Sequence, residues 1–219
     1  MCGRMAITLP HDAMAQMFSA AKVNTLPTDE PNWNVCPTTT IAAVTSHDNV
    51  RHLRPMRWGF IPSWYDKPTS GPLLINARAE TIAEKPAFRE ACRQRRCLIA
   101  ADGFYEWHRD GDTPLPYWVT RTDGAPMVFG GIWQTWGDQA TCAIVTTDAN
   151  ADMAPIHHRL PLILPPDDWA LWLGEAGHGA AKLMTPAKEG VLSLRRVSKA
   201  VNSNRAIGPE LIEPLIEDE

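Results

Sequence analysis

Short, largely apolar runs set off by polar stretches recur along this chain: RMAITL at 4–9, IAAVT at 41–45, HLRPMRW at 52–58, RCLIAA at 96–101, FYEWH at 104–108, PYWVTR at 116–121, MVFGGIW at 127–133, TCAIVTT at 141–147 and PLIL at 161–164. They are rich in β-branched and aromatic residues, and DG, GDT and TDG turns punctuate them, so the pattern predicts a sheet-rich core with tight connections. Helical spacing is rarer. It predicts a helix over 11–21, where Ala13, Met14, Met17, Phe18 and Ala21 share a face, a second over 84–94, and a third over 166–173 around Trp169 and Trp172. The expected fold is α+β: a single domain over 1–219 with a curved, barrel-like, mainly antiparallel β core and a few peripheral helices. DKPTSGP at 66–72 reads as a surface loop and the acidic end of the chain, about 210–219, as a frayed tail.

Composition sharpens this picture in four respects. With 219 residues, 44% hydrophobic, the chain is long enough for one substantial core. No run approaches a membrane span, and Arg4 and Asp12 interrupt the place where a signal peptide needs its apolar segment, so a soluble cytoplasmic protein, bound to the nucleoid when it holds DNA, is expected. The five cysteines, at 2, 36, 92, 97 and 142, are odd in number and form no CxxC pair, and read as reduced thiols. A net charge of -4 argues against a protein that coats nucleic acid by bulk electrostatics. Any such contact must be local. Arg89, Arg93, Arg95 and Arg96 form one basic cluster and Arg195, Arg196, Lys199 and Arg205 another; each taken alone reads as a solvated face.

Candidate chemistry begins at Cys2. Processing removes an initiator methionine when the next side chain is small, which would leave a cysteine whose α-amine and thiol are both partly nucleophilic near neutrality. Such an amine forms a Schiff base with an aldehyde, and the thiol then closes a five-membered ring. A cysteine at position 2 is usually incidental, so this residue alone decides little. Glu106, in the aromatic run FYEWH, reads equally as a buried acid–base carboxylate or as a surface glutamate. His157 reads as a catalytic imidazole, a core histidine or, with His158, half of a metal site; no third ligand has convincing spacing, so neither metal nor cofactor is expected.

Read together, MCGR at the start, WNVCPT at 33–38, RWGFIPSW at 57–64, INARAET at 75–81, ADGFYEW at 101–107 and IHHRLP at 156–161 resemble, in order, the SOS response-associated peptidase (SRAP) family, and the likeness runs on to VSKAVNSN at 197–204. The resemblance implies a protein that recognises abasic sites in single-stranded DNA and traps the ring-opened sugar aldehyde as a thiazolidine on the N-terminal cysteine, here Cys2. It implies catalytic roles for Asn76, Glu106 and His157, and DNA contacts from Arg4, Pro37, Trp64, Tyr65, Arg78, Trp107, Arg159 and Lys199. Leu160 stands where many members have methionine, and Pro86 where some carry an arginine directed at DNA. The expected partner is single-stranded DNA with abasic sites, bound by a monomer, with no membrane involved. A β-elimination lyase side reaction is compatible with the same chemistry. The alternative that the family's name suggests is a thiol peptidase with Cys2 as nucleophile and His157 as its base, in its narrowest form limited to self-processing of Met1.

Overall fold

The computed structural model describes residues 2–109, 111 and 113–215; Met1, Asp110, Asp112 and residues 216–219, the end of the acidic tail, lie outside them. Thirteen strands are present among the described residues: β1 (Met5–Ile7), β2 (Ala21–Lys22), β3 (Asn32–Val35), β4 (Thr40–His47), β5 (Val50–Trp58), β6 (Asn76–Arg78), β7 (Arg96–Ala101), β8 (Gly103–His108), β9 (Leu115–Arg121), β10 (Met127–Trp136), β11 (Gln139–Asp148), β12 (Arg159–Pro161) and β13 (Leu192–Arg196). The order β5-β4-β7-β10-β11 closes on itself through a parallel pairing of β11 with β5, Thr141 opposite Arg57 and Cys142 opposite Trp58, which makes a five-stranded barrel. A second, antiparallel sheet has the order β13-β9-β8-β1-β3.

The two-residue period of the strands explains why the barrel is coated on both faces. Ile41 and Ala43 of β4, Cys97 and Ile99 of β7, Phe129 of β10 and Cys142 and Ile144 of β11 share one core with Met5, Phe104 and Val119 of the second sheet. Their neighbours Ala42, Val44, Leu98, Val128, Ala143 and Val145 turn the other way, onto Met14, Phe18, Ala91 and Trp172 of the helices. Those helices are α1 (His11–Phe18), α2 (Arg89–Gln94) and α3 (Trp169–Leu173). The β4–β5 hairpin turns on Asp48 and Asn49, both at positive φ (50° and 61°), the two-residue geometry that Asp and Asn tolerate best after glycine.

All three helices are shorter than their sequence patterns. α1 stops at Ser19, which takes the left-handed conformation and caps the helix through Ala15 and Gln16 carbonyls, freeing Ala21 and Lys22 to pair with β5. Pro86 holds the start of the second pattern in turns, so α2 begins only at Arg89. Residues 166–168 form a 3₁₀ turn before α3. Arg95 and Arg96 of the first basic cluster serve the fold: Arg95 pairs with Glu90 at 2.9 Å, and Arg96 donates to the carbonyls of Trp172, Cys92 and Arg93.

Candidate active site

The start of the chain is fixed by β1 running antiparallel to β8, with Met5 opposite Phe104, and the ladder continues where the Tyr105 N–H donates to the Arg4 carbonyl at 2.9 Å. This register carries Cys2 to the side of Glu106. Both are buried, 1% and 3% exposed. Burial pushes the Cys2 thiol far above its ordinary range, and the neighbouring Glu106 carboxylate pushes it the same way, so the sulfur is protonated at neutral pH.

The other half of the site hangs on the C-terminal end of β11. On one side β6 places Asn76 opposite Ile144 and Arg78 opposite Thr146; on the other β12 places Leu160 opposite Thr147 and Arg159 opposite Asp148. The Trp58 indole donates to the Ile75 carbonyl at 3.1 Å and so holds the strand leading into Asn76. Both polar atoms of the Asn76 amide are buried and have no hydrogen-bond partner among the described residues. A buried amide left this way costs about 1–3 kcal/mol, which marks the position as one awaiting a ligand.

His157 ends a turn in which its N–H donates to the Met153 carbonyl at 3.0 Å. Its Nδ1 accepts from the Arg159 backbone N–H at 3.0 Å, so the neutral ring carries its proton on Nε2. Burial lowers its pKa below the ordinary imidazole value, against the upward pull of the Glu106 carboxylate. Cys2 and His157 thus both lie in the field of one carboxylate, and the three side chains form a single electrostatic unit. His158 stacks on His157 with centroids 4.4 Å apart, and no group of three metal-binding side chains gathers among the described residues.

The residues expected to touch DNA divide into two sets. Trp64 is exposed, 58%, with Tyr65 edge-on at 6.3 Å, and Arg78 and Lys199 are also exposed. Half-buried Pro37 follows β3, and the Trp107 indole donates to Asn202 Oδ1 at 2.7 Å. Two arginines are engaged inside the protein instead. Arg159, expected to fork onto a phosphate, is 4% exposed and gives its guanidinium to Glu80 (3.0 and 2.9 Å), Asp148 (2.6 Å) and the Thr146 carbonyl (2.8 Å). Arg4 donates to Asn34 at 2.7 Å, to the Val201 carbonyl at 3.0 Å and to Asn204, and lies 5.7 Å from the Trp107 ring. Asn34, Glu80, Asp148 and Asn204 were invisible as partners because only tertiary structure brings them to these cations.

Fold and site together define a barrel protein with a thiol at its N-terminal end held against a carboxylate and an imidazole. The chain belongs to the SOS response associated peptidase (SRAP) family, whose sequence model matches residues 1–204. It is 34% identical to the abasic site processing protein YoaM of Bacillus subtilis, over 97% of this chain and 98% of that one, and 35% identical to the abasic site processing protein YedK of Escherichia coli, over 98% and 100%. A solved structure of a protein from Bacteroides thetaiotaomicron superimposes with a TM-score of 0.86 over 98% of this chain and all of that one, at 24% identity, and so shares the fold. Among the described residues no helix is long and apolar enough to cross a membrane.

Proposed function

We propose that this protein processes abasic sites by forming a covalent thiazolidine crosslink between Cys2, once Met1 has been removed, and the ring-opened sugar aldehyde in single-stranded DNA. The names of its relatives point to abasic sites as the target. The observation that carries the mechanism is the joint placement of Cys2 and His157 in the field of Glu106; the Asn76 amide, buried without a partner among the described residues, adds to it.

The chemistry follows from the protonation states. The freed α-amine of Cys2 adds to the aldehyde carbon, giving a carbinolamine; the hydroxyl leaves as water after receiving a proton, and an imine remains. The thiol then adds across the C=N bond. Sulfur bonds to carbon, the thiol proton ends on nitrogen, and the sum is aldehyde plus aminothiol giving thiazolidine and one water. Glu106 and His157 move the protons, His157 through Nε2, and Asn76 orients the sugar or the amine. Because burial keeps the sulfur protonated, the amine leads and the thiol follows; a peptidase led by a Cys2 thiolate would need the opposite bias. Trp64, Tyr65, Trp107 and Pro37 line the path of the strand, while Arg78 and Lys199 meet its phosphates.

Intact mass spectrometry, before and after incubation with a single strand carrying one abasic site, tests this reading. The expected result is a protein lacking Met1 and a heat-stable adduct, equal to protein plus strand minus one water, with the damaged strand only. A Met-free protein that gives no adduct would sink it.

A further inference from the structure

Away from Cys2, an open groove of about 560 Å³ lies between β5 and the β10–β11 hairpin, with Met56 and Ala140 in its wall and Arg54 and Arg57 along it. Its origin is a gap in the sheet. The outer edge of β5 pairs with β2 at His52 and Leu53 and with β11 at Arg57 and Trp58, so residues 54–56 between them have no paired strand on that side among the described residues. The Leu53 carbonyl faces β2, where it accepts from the Val23 N–H at 3.1 Å; by the two-residue period of a strand, Pro55 faces the same edge. Proline has no N–H to offer, so an added peptide strand cannot complete the ladder there. The gap is open to a ligand that uses side chains instead.

Those side chains favour an anion. Arg51, earlier on β5, is neutralised by Glu175 at 2.7 Å. Arg54 and Arg57 have no carboxylate partner among the described residues: Arg54 lies 5.0 Å from the Trp133 ring, and Arg57 donates to the Gly59 carbonyl. Asp138 is the acidic residue in the lining, against two arginines, while Thr25, Thr40, Thr135 and Gln139 add hydroxyl and amide donors. Guanidinium on an aromatic ring, with neutral donors around it and no apolar slot for a base edge, suits a phosphodiester backbone read without regard to sequence. The hairpin that walls the groove also holds the exposed aromatic loop: Trp136, next to Thr135 in the chain, donates its indole N–H to the Tyr65 carbonyl at 2.7 Å.

We infer that the Arg54–Arg57 groove binds phosphates of the single strand flanking the lesion. This rests on the proposed function and extends its footprint to a surface that the site residues do not reach.

The test is binding of a labelled, undamaged single strand by fluorescence anisotropy across a salt series, with the parental reaction on an abasic strand run alongside. Each phosphate contact on a single strand contributes about 0.7 to the slope of log affinity against log salt. The double variant Arg54→Ala, Arg57→Ala should bind about tenfold more weakly at low salt and lose about 1.4 from the slope. Arg54→Ala alone, which leaves the Arg57–Gly59 contact intact and so guards against a folding defect, should lose about half of that slope. Arg54→Lys should keep it. Unchanged slopes with a normal parental adduct would overturn the groove while leaving the crosslinking reading in place; neither adduct nor DNA binding from the parental protein would overturn both.

Discussion

A protonated thiol next to a carboxylate, with a neutral imidazole nearby, assigns distinct work to each atom, and single substitutions separate them. Cys2→Ser keeps the terminal amine and removes the sulfur, so imine formation should survive while ring closure fails. The expected outcome is no heat-stable adduct, an imine that borohydride traps, and slow strand cleavage by β-elimination on a gel. Glu106→Gln and His157→Ala should each slow adduct formation by about 10²-fold or more, the usual scale of general acid–base catalysis, with little change in binding of an undamaged strand. Parental rates in both would remove their assigned roles. Burial depresses the His157 pKa, so the ring is already neutral at pH 7, with Nδ1 held by the Arg159 N–H and Nε2–H presented as a donor. Its contribution is present above that depressed value and is lost as pH falls through it. In a pH series the ratio of the parental to the His157→Ala adduct rate, in which protonation of the Cys2 amine cancels, should therefore hold down through about 6.5, the ordinary imidazole value, and fall only below it.

At the scale of elements, Arg159 acts as a clamp joining β6, β11 and β12. Its guanidinium ties Glu80, two residues past β6, to Asp148 and Thr146 of β11, and its backbone N–H orients His157. Arg159→Met keeps the length and removes the charge. The buried carbonyl loses its donor, while the carboxylates, 45% and 76% exposed, turn to water. A loss of about 1–3 kcal/mol in urea unfolding at pH 7 is expected. The hydrogen bond from Arg159 holds the Glu80 carboxyl below its ordinary value, so its share of stability is present above about 4.3 and disappears as pH falls through the lowered folded value. The gap between parent and variant should therefore narrow in acid; a constant gap would assign the loss to packing alone. Eight of the nine runs correspond to β1, β4, β5 and β7 to β11, because β-branched and aromatic enrichment survives any partner, whereas PLIL meets β12 only at Pro161. β3, β6 and β13 gave no such signal: β6 is three residues long and exists as a strand through its parallel pairing with β11. Cys2, Asn76, Glu106 and His157 were singled out through resemblance, whereas Arg54 and Arg57 drew no expectation, since nothing local announces a gap between two partners of one strand edge.

For the whole molecule, the last described segment completes the second sheet and reaches back to the first residues. After β13, Val197, Val201 and Leu211 pack with Tyr105, Trp118 and Ala6 in a third core, and the Arg4 guanidinium holds Val201 and Asn204 from the N-terminal side. Tyr105 also donates its hydroxyl to the Trp33 carbonyl at 2.7 Å, so β8, β3 and the C-terminal turns share one joint. This joint stands directly behind Glu106, which follows Tyr105 on β8 and faces the opposite way. Leu211 is 1% exposed and far along the chain from every site residue. Leu211→Ala should cost about 2–4 kcal/mol, or roughly 5–12 °C in Tm for a chain of this length. If the joint sets the position of β8, the variant should also slow adduct formation at temperatures where it is fully folded, and weaken the contact of Trp107 with Asn202. Differential scanning calorimetry and adduct rates measured well below the transition separate the two effects. A lowered Tm with a parental rate would mean that the C-terminal turns stabilise the sheet without positioning the carboxylate.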